Sequence, residues 1–290
     1  MASAFLALNT VFGRFFEVDA VEALESAAAD ARKPPEPFIF DIQTHHVAAP
    51  RQFPSLLGLR RLGRVWNPGL EKDRGTMEDL YLANYIKEIF LDSDTTVAVI
   101  SGIPSATDAS NILPPKKMAE TRNVINRLAA SQRLIAHGLV APNKGTSDLD
   151  EMRRQADELT ISAWKGYTSK STGIPGISSA PRRTSLVQSL GADHVLWGTD
   201  SIWWGSPHWQ IEALRRFTMP ESLMKRSGYR PLTPDVKALI FGLNAARVYG
   251  IDPNAHRNPV PPDYVSKLRA AYLDEGPTPS LTQYGWVLGS

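Results

Sequence analysis

Two histidines, His45 and His46, close an apolar run that begins at Phe38 and reads FIFDIQT before them. Imidazoles at the end of a buried strand sit where metal ligands and proton carriers are useful. One common metal site spaces its histidines His-x-His, and here the residue two before His45 is Gln43. A second candidate is Asp200, in the run Gly198-Thr199-Asp200-Ser201. It reads either as a turn or cap residue or as a carboxylate that binds metal and moves protons. Lys165, in AWKGYT, shares one face of an alternating strand with Ala163 and Tyr167. On an inward face it is a partner for a substrate carboxylate, with Tyr167 beside it, or a metal ligand once carboxylated; on an outward face it is a solvated lysine. Trp203, Trp204 and His208 follow Asp200 within a few residues. They read as pocket walls and a substrate contact, or as ordinary loop packing. His137, in the middle of LIAHGLV, reads as a hydrogen-bonded core histidine.

Elements that would position these groups are legible from periodicity. FIFDIQT, TTVAVISG, RLIAHGLV and ISAWKGYT are apolar, β-branched or alternating runs, and between them lie helical patterns. Leu82, Ile86, Ile89 and Phe90 recur at helical spacing, as do Met118, Ile125 and Leu128. Strands alternating with helices predict a parallel sheet, open or closed as a barrel. After Tyr167 the pattern breaks into a Ser-, Gly- and Pro-rich stretch. HVLWGTD then reads as a strand, Ser206-Pro207 as a helix start, and LTPDVKALIF and NAARVYG as two closing helices stopped by Gly250.

Composition excludes several chemistries. The chain of 290 residues has no cysteine, which removes disulfides, thiolate metal sites and cysteine nucleophiles. A net charge of +2 and basic clusters no longer than pairs (Arg60-Arg61, Arg182-Arg183, both read as solvated) give no nucleic-acid footprint. No apolar run reaches membrane-spanning length. The apolar start MASAFLALNTVFGRFF lacks the basic residues of an export signal, so a cytoplasmic location is expected. No phosphate loop, Gly-x-Ser-x-Gly elbow or His-Glu-x-x-His helix is present.

Four stretches together carry a family resemblance: FDIQTHH, AHGLVAPN, GADHVLWGTDSIWWGSPHWQIEALRRF and LTPDVKALIFGLNAARVYGID. They resemble the amidohydrolase-related family of metal-dependent TIM-barrel hydrolases and decarboxylases. The resemblance implies a (β/α)8 barrel with its site at the C-terminal strand ends. It also implies a divalent metal, zinc first and manganese second, held by a strand-1 His-x-His pair, a strand-5 His and a strand-8 Asp. Asp200 matches that Asp, as metal ligand and base. His45 matches the second histidine of the pair. Gln43 stands in place of the first and is assigned a substrate contact. His46 is a ligand only if the strand has already ended, because neighbours in a strand face opposite ways.

Too few residues separate Tyr167 from Ala192 to hold even one strand–helix unit of about 30 residues. HVLWGTD corresponds to strand 8, so strands 5 to 7 and their histidine are missing. The expected fold is therefore α/β, a TIM-barrel type internally shortened to about five parallel strands, open or distorted. An N-terminal helical arm (1–36), the barrel domain (37–257) and a Pro-rich tail with one short helix (258–290) are expected. Three functions stay open. The first is a hydrolase in which metal-activated water attacks an amide, ester or lactone carbonyl. The second is a decarboxylase of aromatic or enoic acids in which Lys165 grips the carboxylate. The third is a scaffold without competent chemistry. The expected partners are a small-molecule substrate and a second copy covering the open edge, with no nucleic acid and no membrane.

Overall fold

The computed structural model describes residues 37–64, 67–105, 110–141, 146–166, 187, 190–219, 221–256 and 264–276. The expected N-terminal arm, Arg182-Arg183 and Tyr167 lie outside the described residues.

Four strands form one parallel sheet in the order β1 (Phe40–Thr44), β2 (Val97–Ile100), β3 (Leu134–Leu139) and β4 (Ala163–Lys165). The sheet curls into a half-barrel. Every residue of β2 and β3 is buried, as continuous apolar runs covered on both faces require.

Crossover helices cover one face. They are α2 (Leu82–Ile86), prolonged by a π-helical turn (Lys87–Leu91), and α3 (Pro115–Ala129). Ile86, Ile89, Phe90, Met118, Ile125 and Leu128 pack there against Ala98, Ile100, Leu134 and Ala136. The same core takes Leu268 and Ala271 of α9 (Tyr264–Asp274), so this helix of the Pro-rich tail is built into the core. Helix α1 (Pro54–Gly63) lies between β1 and α2, and α4 (Thr146–Leu159) connects β3 to β4.

The opposite face of the sheet would line the lumen of a closed barrel. Here it is covered by a helical run rather than by further strands. Phe38, Phe40, Val97, Val99 and Ile135 pack against Ala245, Ala246 and Tyr249. That run is α7 (Pro234–Ala238), a π-helical turn (Leu239–Leu243) and α8 (Asn244–Tyr249). The sequence predicts two closing helices, but the π turn joins them without a break. Thr233 Oγ1 accepts from Val236 N at 3.3 Å at its start, and Gly250, at φ 66°, ends it. Gly242 is required where the run crosses β1, since a Cβ there would lie 2.2 Å from the Phe38 carbonyl oxygen.

The fifth expected strand departs from prediction. Residues 195–200 are extended beside β1 but do not form a regular strand. Ile42 N donates to Trp197 O (3.0 Å), Asp200 N to Gln43 O (2.9 Å) and His45 N to Ser201 O (2.6 Å). A single parallel bridge joins Thr44 to Ser201. Two local features break the ladder: β1 changes register between Asp41 and Thr44, and Asp200 has a left-handed backbone, φ 61°.

Arg60 also departs from prediction. It is buried rather than solvated, donates to Asp73, Glu88 and the Ile202 carbonyl, and so anchors α1 to the segment after Asp200. Burial opposes its charge, yet the two carboxylates hold its pKa above the usual value.

Gly242→Ala is expected to destabilise the chain by about 1–3 kcal/mol, because the new methyl would press on both the backbone and the ring of Phe38. Urea unfolding checks this; an unchanged midpoint would show that α7–α8 does not rest on β1 as described.

Candidate active site

His45 lies one residue past β1 and is 1% exposed. Its Nδ1 is 2.6 Å from the Ser101 carbonyl oxygen at the end of β2. A carbonyl only accepts, so Nδ1 carries a hydrogen and Nε2 is turned the other way. Nε2 lies 2.9 Å from Asp200 Oδ1. Trp203, 3% exposed, stacks on the imidazole with ring centroids 5.6 Å apart and so fixes its plane. Beyond Ser101 the polar chain continues: Ser101 Oγ is 2.7 Å from His137 Nδ1, and His137 Nε2 is 2.8 Å from the Tyr249 hydroxyl. His137 is thus the satisfied core histidine that its mid-strand position predicts. Burial first, then the charges of Lys165 and His45, lower its pKa to about 4.

Asp200 is the open member of the pair, with a side chain 46% exposed. Gln43 Nε2 donates to the same Oδ1 at 3.0 Å. Burial alone would raise the Asp200 pKa. The His45 and Gln43 contacts and the Lys165 charge outweigh it and hold this carboxylate below its ordinary value. Desolvation lowers the Lys165 pKa, and Asp200 partly restores it. His45, Gln43 and Asp200 are therefore in contact, with the Lys165 charge acting on Asp200.

Asp41 is the residue that the sequence reading passed over. It is fully buried and accepts from Gln43 N (3.0 Å), Thr199 N (3.1 Å) and the Thr199 hydroxyl. These bonds clamp the residue before Asp200 onto β1. A lone carboxylate inside FIFDIQT was a usable signal, because a buried charge needs several donors. Burial raises its pKa to about 7 against those donors, with the Asp200 charge adding to the rise.

The remaining candidates scatter. His46 points into the core: Nδ1 donates to Val47 O (3.0 Å), and Nε2 accepts from the Thr121 hydroxyl (2.9 Å). Burial, then the opposing Val47 bond and the His45 charge, leave its pKa at about 4. Trp204 walls an open cleft of about 760 Å³ together with Gln43, Asp200, Trp209, Leu214 and Phe217. His208 opens α5 (His208–Arg216), with Ser206 Oγ accepting from its backbone N–H at 3.3 Å. Its ring lies with Asp94 and Glu212, their ligand atoms within 4.8 Å of one another, since it shares a helix face with Glu212 four residues on.

An amidohydrolase family model matches residues 161–251, just under a third of the chain. Over that stretch the chain is similar to the amidohydrolase family. The match spans Lys165, Asp200, His208 and the run α7–α8, and stops short of β1. No curated protein and no solved structure matched the chain.

The resemblance implies four protein ligands for the metal, and a catalytic zinc in general takes at least three with a water. His45 and Asp200 supply two. Of six histidines, His46 and His137 have both ring nitrogens engaged, and His194 is exposed beside Asp193 at 3.1 Å. His256 lies in the turn Pro253–His256, and residues 167–186 contain no His, Asp or Glu. Among the described residues, ligand atoms of Asp94, His208 and Glu212 lie within 4.8 Å of one another. Arg215 already donates to Asp94 and Glu212 at 2.6 Å each, and Arg269 donates to Asp94. The residues present therefore do not fit a three-ligand zinc at His45 and Asp200.

Asp41 gives this region a pH signature. Its folded pKa, about 7, lies above the unfolded value of 3.8, so the folded chain keeps a proton that the unfolded chain has released. That contribution lowers stability as pH rises from about 4 to about 7. Asp41→Asn should lose less stability than the wild type between about pH 5 and pH 8. Denaturant unfolding at the two values checks it; equal losses would mean that Asp41 is not the titrating group.

Proposed function

We propose that this chain hydrolyses small apolar or aromatic carbonyl compounds, esters and lactones ahead of amides, with His45 and Asp200 as its acid–base pair. The observation that carries the reading is the 2.9 Å contact between His45 Nε2 and the half-exposed Asp200 carboxylate, beside the cleft walled by Trp204, Trp209 and Phe217. The pair holds one proton between its two facing atoms. The second Asp200 oxygen accepts a proton from an incoming water as that water attacks the carbonyl carbon. The pair then returns a proton to the leaving oxygen. Gln43 steadies Asp200 during both transfers, and Trp203 and Ser101 keep the imidazole from turning. A carboxylate held below its usual pKa is a weak base. Activated carbonyls are for that reason better substrates than amides.

Two observations weigh on the alternatives. Lys165 acts on Asp200 but is not among the residues lining the cleft, which puts the decarboxylase reading, with its carboxylate grip, behind the hydrolase. The short supply of metal donors favours the binding-only scaffold over a zinc hydrolase, and that scaffold is the second reading.

The test is hydrolysis of aryl esters and lactones by wild type and Asp200→Asn. Asparagine tolerates the left-handed backbone at this position, so the variant keeps the turn. The expected loss in kcat/KM is about 100-fold or more, and wild-type activity should persist into acid below the ordinary carboxylate range. Equal rates in the two proteins would refute the hydrolase reading. No turnover in wild type would leave the scaffold.

A further inference from the structure

We infer that the site at the end of β1 takes no resident divalent metal, and that the chain's own donors occupy the place of the metal's charge around Asp200. The inference uses the same placement of His45 and Asp200 as the hydrolase reading, but it does not depend on turnover.

Three groups carry positive charge or hydrogen toward Asp200. The first is His45. With Nδ1 committed to the Ser101 carbonyl, Nε2 would meet Oδ1 lone pair to lone pair at 2.9 Å unless a proton lay between them. The second is Gln43, whose amide N–H reaches the same oxygen at 3.0 Å. A histidine at this position would present a lone pair, whereas this amide presents a hydrogen. The third is Lys165, whose ammonium acts electrostatically on Asp200 from β4. A metal entering here would break the His45–Asp200 contact, turn the Gln43 amide over and meet the Lys165 charge. It would find two good protein ligands in return, and none of the other histidines with a described ring is placed to add a third.

The missing strands sharpen the point. Residues 167–186 hold Lys170, Arg182 and Arg183 but no carboxylate and no imidazole. That stretch of sequence thus holds cationic side chains and no metal donors.

The experiment combines metal analysis of the purified full chain with zinc and manganese titration of wild type, Gln43→His, Asp200→Asn and His208→Ala, by calorimetry. Wild type should carry less than about a tenth of an equivalent. Gln43→His restores the His-x-His spacing and should bind zinc about tenfold more tightly than wild type or better. Thermal unfolding of each variant confirms that it is folded. Because Gln43→His could itself misfold, the imidazole NMR signals of His45 in wild type provide a second measure, and they should not move when zinc is added. A full equivalent of zinc in wild type that Asp200→Asn abolishes would overturn the inference. An equivalent abolished only by His208→Ala would place the metal at Asp94, His208 and Glu212 and support it. Either result can accompany an active or inactive enzyme, so failure here is separable from failure of the hydrolase reading.

Discussion

Three backbone hydrogen bonds fasten the segment from Trp197 to Ser201 onto β1, and the candidate site exists only because of them. The two stretches are more than 150 residues apart in sequence, as the Asp41–Thr199 pair shows with a separation of 158. Closing so long a loop costs conformational entropy, and an irregular pairing with one bridge is a weak ladder to offset it. Asp41 supplies the rest. Its buried carboxylate takes both the N–H and the hydroxyl of Thr199, and the Gln43 N–H as well, so it ties the turn to the β1 irregularity from inside. The left-handed residue that follows, Asp200, is then aimed back at His45.

The half-barrel solves a problem posed by its own shortness. A parallel sheet needs cover on both faces, and a closed barrel provides it by packing side chains from opposite strands. With four regular strands the inner face would lie open. Ala245, Ala246 and Tyr249 fill it, and the small Gly242 lets their helical run approach the Phe38 backbone. Tyr249 also reaches His137, so the helix that covers this face of the sheet ends in the same polar chain that orients His45. Packing and site geometry thus share an element.

Much of this was legible in the sequence, and the exceptions follow a physical pattern. The four strands and their crossover helices were visible as apolar runs and 3.6-residue periodicity, because both faces of the sheet are buried. His45 and Asp200 stood out through the family resemblance. Arg60 was misread, since a pair of arginines carries no mark of what it will face. Arg60 is buried only because Asp73, Glu88 and the Ile202 carbonyl converge on it. The extended segment before Asp200 read as a strand because its composition is that of one. Backbone irregularities on both partners keep the ladder from forming, and neither has a composition signal. Asp41 had such a signal, a single acid in an apolar strand.

The central claim is that residues 197–201 are docked on β1 so that His45, Gln43 and Asp200 meet before any ligand binds. Amide hydrogen exchange on the full chain tests this most directly, at the Asp200 N–H bonded to Gln43 O and the Ile42 N–H bonded to Trp197 O. The account predicts protection at both positions comparable to that of the β1–β2 amides. Exchange of Asp200 and Ile42 at the rate of an unprotected loop, with β2 and β3 still protected, would contradict it.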